Sequence, residues 1–334
     1  MRITRDSLMK LAKTKVAEMT YQDRSLVCIY LTGSMLRDEP LLGGTIDIDL
    51  MCVHRSEPEI KREIVRFTDE VHLDIAHYDQ ALFQQPRALR QDPWLGSYLC
   101  EDPIVLHVQQ HWFEFVQAGV SDQFFRPENT LKRCRPQAEA ARQIWLQFYS
   151  GQVEEGPVQL NQYLRALEEA ANAIACLTGS PLTERRFLLD YPARTTAIQR
   201  PGLAAGLEDL ITQGDISQET WQKWLAAWAE AYDAASESEN APARLHPTRK
   251  AYYQRAMEAM WTENPAAALW SFLWTWSRMR GLLHPGNPVL DTWNGIAETL
   301  SLAPQHMEDR LNALDAYLDA VEETLDAWQQ ERGL

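Results

Sequence analysis

The stretch LTGSMLRDEPLLGGTIDIDLMCV (residues 31–53) decides how this chain is read. Within it, TIDIDLMCV alternates with the period of two expected of a strand, so Ile46, Ile48 and Leu50 share one face while Asp47 and Asp49 share the other. One face is core-forming and the other acidic. Carboxylates at i and i+2 of a strand stand ~7 Å apart at the backbone, near enough for their side chains to share a divalent cation. Aspartate is depleted in strands, and two on one short strand repel each other unless a cation lies between them. The pair therefore reads as a ligand site in preference to the solvated face of an edge strand.

Outward from this stretch, residues 4–19 set Leu8, Leu11, Val16 and Met19 at helical spacing, and SLVCIYLTGS (25–34) is predicted as a buried strand ending in a Gly33–Ser34 turn. Glycine lets backbone approach a phosphate closely, and a serine hydroxyl with exposed N–H groups at a following helix start can hold its oxygens. Pro40, Gly43 and Gly44 mark a loop. PEIKREIVRF (58–67) is predicted as a short charged helix, and VHLDIAHY (71–78) as a third strand with Asp74 on one face beside His72 and Ala76. PIVLHV (103–108) is predicted as a further strand and HWFEFVQAGV (111–120) as a helix packed on the sheet. Asp74, on a neighbouring strand, would complete a carboxylate set for two ions about 3.5 to 4 Å apart, the arrangement that serves in-line phosphoryl displacement.

From LKRCRPQAEAARQIWLQFY (131–149) onward, strand signals vanish and alanine, glutamate, leucine and tryptophan recur at helical spacing. Breaks at 179–181, 200–202, 236–242 and 282–288 divide this half into about six or seven predicted helices. Two domains are expected: an α+β domain with a small mixed sheet over residues 1–125, and an all-α helical bundle over residues 126–334.

Composition narrows the function classes. The chain of 334 residues is 45% hydrophobic, and no apolar run approaches the ~20 residues of a spanning helix. Its charged N-terminus does not read as a leader, so a cytoplasmic protein without a membrane partner is expected. Cys28, Cys52, Cys100, Cys134 and Cys176 are odd in number and scattered, which points to neither disulfides nor structural zinc. With 47 acidic against 32 basic residues the net charge is -15, which argues against long nucleic acid as partner and for a small or cationic acceptor.

Taken together, Gly33–Ser34, Asp47-Ile48-Asp49 and Asp74 resemble the signature of the DNA polymerase beta-type nucleotidyltransferase superfamily: a Gly-Ser turn, an Asp-x-Asp strand and a third acidic strand residue. A small sheet followed by a helical bundle is similar to its small-acceptor branch, which includes the kanamycin and aminoglycoside nucleotidyltransferases. The motif-bearing likeness covers residues 28–80; that of the helical half is architectural. Two departures stand out: a long Ser34–Asp47 gap, and Ile46 where serine often precedes the first aspartate.

The resemblance implies transfer of a nucleoside monophosphate from a triphosphate, with ATP expected, to a hydroxyl of a small, aminoglycoside-like acceptor, releasing pyrophosphate. It implies two Mg2+ ions, replaceable by Mn2+. Asp47 and Asp49 would grip the triphosphate-bound ion, all three aspartates would hold the ion that activates the acceptor, and Asp74 is the nearest candidate for general base. Gly33 and Ser34 would cradle the terminal phosphates, one of Arg165, Arg185 and Arg186 would reach the triphosphate from the second domain, and Glu168 or Glu169 would face the acceptor. The same catalytic domain also serves enzymes that nucleotidylate a protein or an RNA end, in the manner of toxin-antitoxin transferases, and a non-catalytic nucleotide-binding regulator is the alternative outside enzymology. The nucleobase, the acceptor and the oligomeric state stay open at this level. His72 reads as a packing or hydrogen-bonding residue, and the tryptophans of WSFLWTWSRM (270–279) as core.

Overall fold

A computed structural model describes residues 3–154, 156–212 and 214–334. The chain forms two compact units that divide between Asn129 and Thr130.

The first unit runs α1 (Arg5–Gln22), β1 (Leu26–Thr32), β2 (Ile46–His54), β3 (Arg62–Arg66), β4 (Val71–Asp79), α2 (Pro86–Gln91), α3 (Leu95–Cys100), β5 (Ile104–Val108) and α4 (Trp112–Phe124). Its five strands lie in the order β3-β4-β2-β1-β5. β2 and β4 are parallel and every other neighbouring pair is antiparallel, so the sheet is mixed.

Residues 58–67 depart from the predicted helix: Arg62–Arg66 is the edge strand β3, hairpinned onto β4. The reason lies in alternation that the charges obscure. Arg62, Ile64 and Arg66 point one way, Glu63 and Val65 the other, and Val65 packs into the core on its side. The β-branched Ile64–Val65 pair suits a strand, and the ladder with β4 supplies backbone partners that a single charged turn of helix would leave to water.

Each sheet face carries its own apolar cluster. On one, α1 lays Leu8, Ala12, Val16 and Met19 against Ile29, Leu31, Ile46, Ile48, Leu50, Leu73 and Ile75. That helix starts where Thr4 and Ser7 form a reciprocal capping box, and its buried residues recur every three or four positions as an amphipathic helix requires. On the other face, Tyr30, Met51 and Val53 meet Phe83, Leu89, Leu99, Phe113, Val120 and Phe124, contributed largely by α2, α3 and α4. This second cluster covers only part of its face. Along β2 the residues on that side run Asp47, Asp49, Met51, Val53, and along β4 they run His72, Asp74, Ala76, Tyr78, so one end is acidic and the other apolar.

The second unit is helical. Among its described residues there are nine α-helices: α5 (Pro127–Tyr149), α6 (Pro157–Ala175), α7 (Phe187–Ala197), α8 (Gly202–Ile211), α9 (Gln218–Ser236), α10 (Lys250–Trp261), α11 (Pro265–Arg280), α12 (Val289–Thr299) and α13 (Met307–Gln330). The count exceeds the six or seven expected because breaks after Tyr149, ahead of Ser217, ahead of Pro265 and after Thr299 also separate helices. Asn264 caps α11 with its side chain and Pro265 occupies the first turn, where a missing N–H costs nothing. α11 is buried almost all round: Trp270, Trp274 and Trp276 lie in the core, with Trp270 stacked on Phe187 at 4.4 Å and Trp276 on Trp293 at 5.1 Å.

Two arginines tie this unit together. Arg142 on α5 donates to Asp315, Asp319 and Glu322 on α13. Arg310, only 2% exposed, donates to the carbonyls of Asp209 at 2.9 Å, Leu300 at 2.6 Å and Ser301 at 3.0 Å. It thereby satisfies carbonyls at the ends of α8 and α12, where helices present unpaired acceptors and partial negative charge. The five cysteines are free thiols. Among the described residues no helix is long and apolar enough to cross a membrane.

Candidate functional site

The acidic end of the first unit's sheet gathers residues from four segments. Asp49 on β2 and Asp74 on β4 are register partners across parallel strands, and Asp47 is the partner of His72. Thr32, the last residue of β1, is the partner of Asp49 on the other side. Directly opposed residues of an antiparallel pair point to the same face, so the Thr32 hydroxyl joins the carboxylates. It is 2% exposed and has no hydrogen-bond partner among the described residues.

The turn after β1 closes the site. Gly33 has φ +71°, in the left-handed region, and opens a short 3-10 turn over Gly33–Leu36. A Cβ at Gly33 would lie 2.8 Å from Asp49 Cγ and 3.3 Å from Asp49 Cβ, nearer still to Oδ2. Glycine is therefore required twice, for the backbone angle and for room beside a carboxylate. The Ser34 hydroxyl donates to the Asp47 carbonyl at 3.2 Å, which ties the turn to β2.

Asp47 and Asp74 are buried, while Asp49 is partly accessible. His72 is fully buried, with its Nδ1 3.8 Å from Asp47 Oδ1. Alternation along β4 makes His72 a neighbour of Asp74, but the cross-strand register makes it the partner of Asp47. Asp74 accepts two hydrogen bonds from Arg62 on β3, Nε to Oδ1 and Nη2 to Oδ2, both at 2.6 Å. This fork-to-fork pair is a strong charge-assisted geometry. Sequence reasoning missed Arg62 because it read that segment as a helix, and the signal that could have found it is the two-residue alternation of REIVR.

Asp47, Asp49, Asp74, Gly33 and Ser34 thus come together at one end of one face. Hard carboxylate and hydroxyl oxygens are the donor chemistry of Mg2+ or Mn2+. As they stand, however, no group of three or more histidine, cysteine, aspartate and glutamate side chains among the described residues is arranged to hold a metal ion. Arg62 takes both oxygens of Asp74 where a cation would bind.

The other expected residues belong to the helical unit. Arg165 is exposed on α6, 3.8 Å from Glu169 one turn on. Arg185 is buried, with its guanidinium 3.3 Å over the Tyr252 ring and donating to the Tyr252 carbonyl at 2.8 Å. Arg186 is half-buried at the start of α7. Burial drives the Glu168 carboxyl above its usual range, opposed chiefly by the positive charge of Arg278, and burial likewise raises Glu169 against the pull of Arg165. Arg278 lies 3.4 Å over the Trp274 ring, near the ion pair of Arg244 with Glu184 to which Tyr253 donates at 2.7 Å.

No protein-family model matches the chain, and no curated protein matches it significantly.

Proposed function

We propose that this chain is a metal-dependent nucleotidyltransferase of the polymerase beta type that moves a nucleoside monophosphate from a triphosphate, with ATP the first candidate, to a small hydroxyl acceptor. One observation carries the reading: Asp49 faces Asp74 in register, with Asp47 two residues before it and the Gly33 backbone against it, at the end of the sheet face beyond the apolar cluster. Three strand carboxylates beside a glycine turn suit phosphoryl chemistry better than they suit a solvated sheet face. The unpartnered, buried Thr32 hydroxyl adds an oxygen at the same place.

On this reading Asp47 and Asp49 would hold the ion that carries the triphosphate, and Asp74, once released from Arg62, would serve the acceptor. Bound Mg2+ would supply neutralisation of the phosphates and a lowered acceptor pKa. Gly33 and Ser34 would position the turn whose N–H groups meet the phosphates, and the cationic acceptor that an acidic protein attracts would come from solution.

The test is a thermal-shift screen of the four nucleoside triphosphates with Mg2+, followed by pyrophosphate release against a panel of polyhydroxylated and amino-sugar acceptors. A triphosphate that binds only the native state raises the melting temperature. Asp47→Asn and Asp49→Asn should each abolish that shift and all release while remaining folded, because removing a carboxylate from a crowded acidic face relieves repulsion. Absence of any shift with all four nucleotides, or pyrophosphate release that survives both substitutions, would overturn the assignment.

A further inference from the structure

Arg62 stands at a point where the acidic site and a bound cation conflict. Its guanidinium reaches from the edge strand β3, where its register partner is Ala76, and lies diagonally across to Asp74. The small alanine leaves the path open. The two partners differ in access: the Asp74 side chain is 3% exposed and that of Arg62 is 37% exposed. Arginine is thus the more accessible member, with its long stem at the rim, while the carboxylate is buried within the sheet.

We propose that Arg62 is the built-in counter-ion of the acidic site: it neutralises Asp74 while no metal is present, and a divalent cation takes that carboxylate only by displacing the guanidinium. The inference rests on the nucleotidyltransferase reading and deepens it by naming the residue that sets the cost of cation entry. Two carboxylates in register on adjacent strands would repel strongly if both were bare, and burial sharpens that repulsion. A fixed cation at Asp74 relieves it and lets the empty site fold. The same cation opposes a second positive charge at the same oxygens. Arg62 therefore makes the ion-free site stable and the ion-loaded site harder to reach, so occupancy of the Asp74 side responds to the supply of ion and nucleotide together.

The unpartnered Thr32 hydroxyl points the same way. Arg62 accounts for both oxygens of Asp74 yet does nothing for Thr32, which flanks Asp49 on the far side of β2. The arginine stands in for part of a ligand and leaves an oxygen for the remainder.

The experiment uses the full chain and Mn2+ alone, counting free ion by electron paramagnetic resonance. Arg62→Gln should bind Mn2+ about tenfold or more tightly than wild type, since a competing charge at contact distance has gone. Arg62→Lys, which keeps the charge and loses the fork, should fall between them. Without ion, Arg62→Gln should melt below wild type, and Mn2+ should narrow the gap. Unchanged or weaker Mn2+ binding in folded Arg62→Gln would overturn the proposal. If that variant does not fold, Arg62→Lys decides: tighter binding than wild type supports the proposal and equal or weaker binding overturns it. Asp47→Asn separates the two layers of argument. Mn2+ binding that Asp47→Asn abolishes but Arg62→Gln leaves unchanged sinks the counter-ion role alone; no Mn2+ binding by wild type or variants sinks the site reading and the counter-ion role with it.

Discussion

Replacing Gly33 with alanine tests the site through its backbone and needs no change in charge. At φ +71° an L-residue pays ~1 to 2 kcal/mol for the left-handed region. Alanine recovers ~0.4 to 1 kcal/mol by restricting the unfolded chain, which leaves a net loss of about 1 kcal/mol. The added Cβ, 2.8 Å from Asp49 Cγ, then drives the carboxylate off its position, and an off-rotamer side chain adds ~0.5 to 1.5 kcal/mol. The expected total is about 1.5 to 2.5 kcal/mol, modest against the loss of Asp49 from the site. Gly44 supplies the control: its φ is +72° and a Cβ there would meet nothing within 4 Å. Gly44→Ala should lose only the backbone part, about 1 kcal/mol, and keep the thermal shift produced by a triphosphate with Mg2+. Gly33→Ala should lose more in urea unfolding, by the ~0.5 to 1.5 kcal/mol of the displaced Asp49 side chain, and lose the ligand shift altogether. Equal ligand shifts in the two variants would refute the argument that Gly33 exists to make room for Asp49.

Two further outcomes follow from features away from the carboxylates. His54 Nε2 and His77 Nδ1 are 2.8 Å apart, flanked by Ser25 and Asp23 at His54 and by Glu63 at His77, so one ring donates to the other and full protonation would set N–H against N–H. Burial, reinforced by the charge of His77 and opposed by Asp23, lowers the His54 pKa from its usual 6.5. A histidine kept neutral in the folded state gives stability that is whole above pH 6.5 and declines as pH falls below it, because the unfolded chain takes up the proton first. Melting temperature should therefore drop between pH ~7.5 and ~5.5 more steeply in wild type than in His54→Asn, and parallel slopes would show that His54 does not titrate as described. In the helical unit, Arg310→Met should cost ~3 kcal/mol or more in urea unfolding, since three buried carbonyls at two helix ends lose their donor; a loss below about 1 kcal/mol would mean that water replaces the guanidinium.

How legible was this in the sequence? The alternation of Ile46, Ile48 and Leu50 with Asp47 and Asp49 reports the two faces of β2 directly, because a strand's side-chain period is invariant. Burial of the α11 tryptophans also followed from spacing alone. The edge strand did not. Arg62, Glu63 and Arg66 carry opposite charges at separations that suit a helix turn as well as a two-sided strand, and only pairing with β4 selects the strand. Arg62–Asp74 was hidden for the same reason, as were the contact of Gly33 with Asp49 and the proximity of Thr32, since each is a relation between strands and cross-strand register is not written in any one segment. The short linkers between helices escaped because a single serine or asparagine N-cap, Ser217 before α9 and Asn264 before α11, starts a new helix without a conspicuous glycine or proline run.

The parallel register of β2 and β4 also limits how this protein can go wrong. A slip of one residue would turn Asp74 into the apolar layer under α1 and send Leu73 and Ile75 to the acidic side, which the core forbids. A slip of two residues keeps every side chain on its proper face and is the error that hydrophobic patterning tolerates. It would set Asp49 opposite His72 or Ala76 in place of Asp74, and so part the two carboxylates without turning either out of its layer. If the proposed cation site is real, the fraction of a folded preparation that binds Mn2+ would therefore report strand alignment.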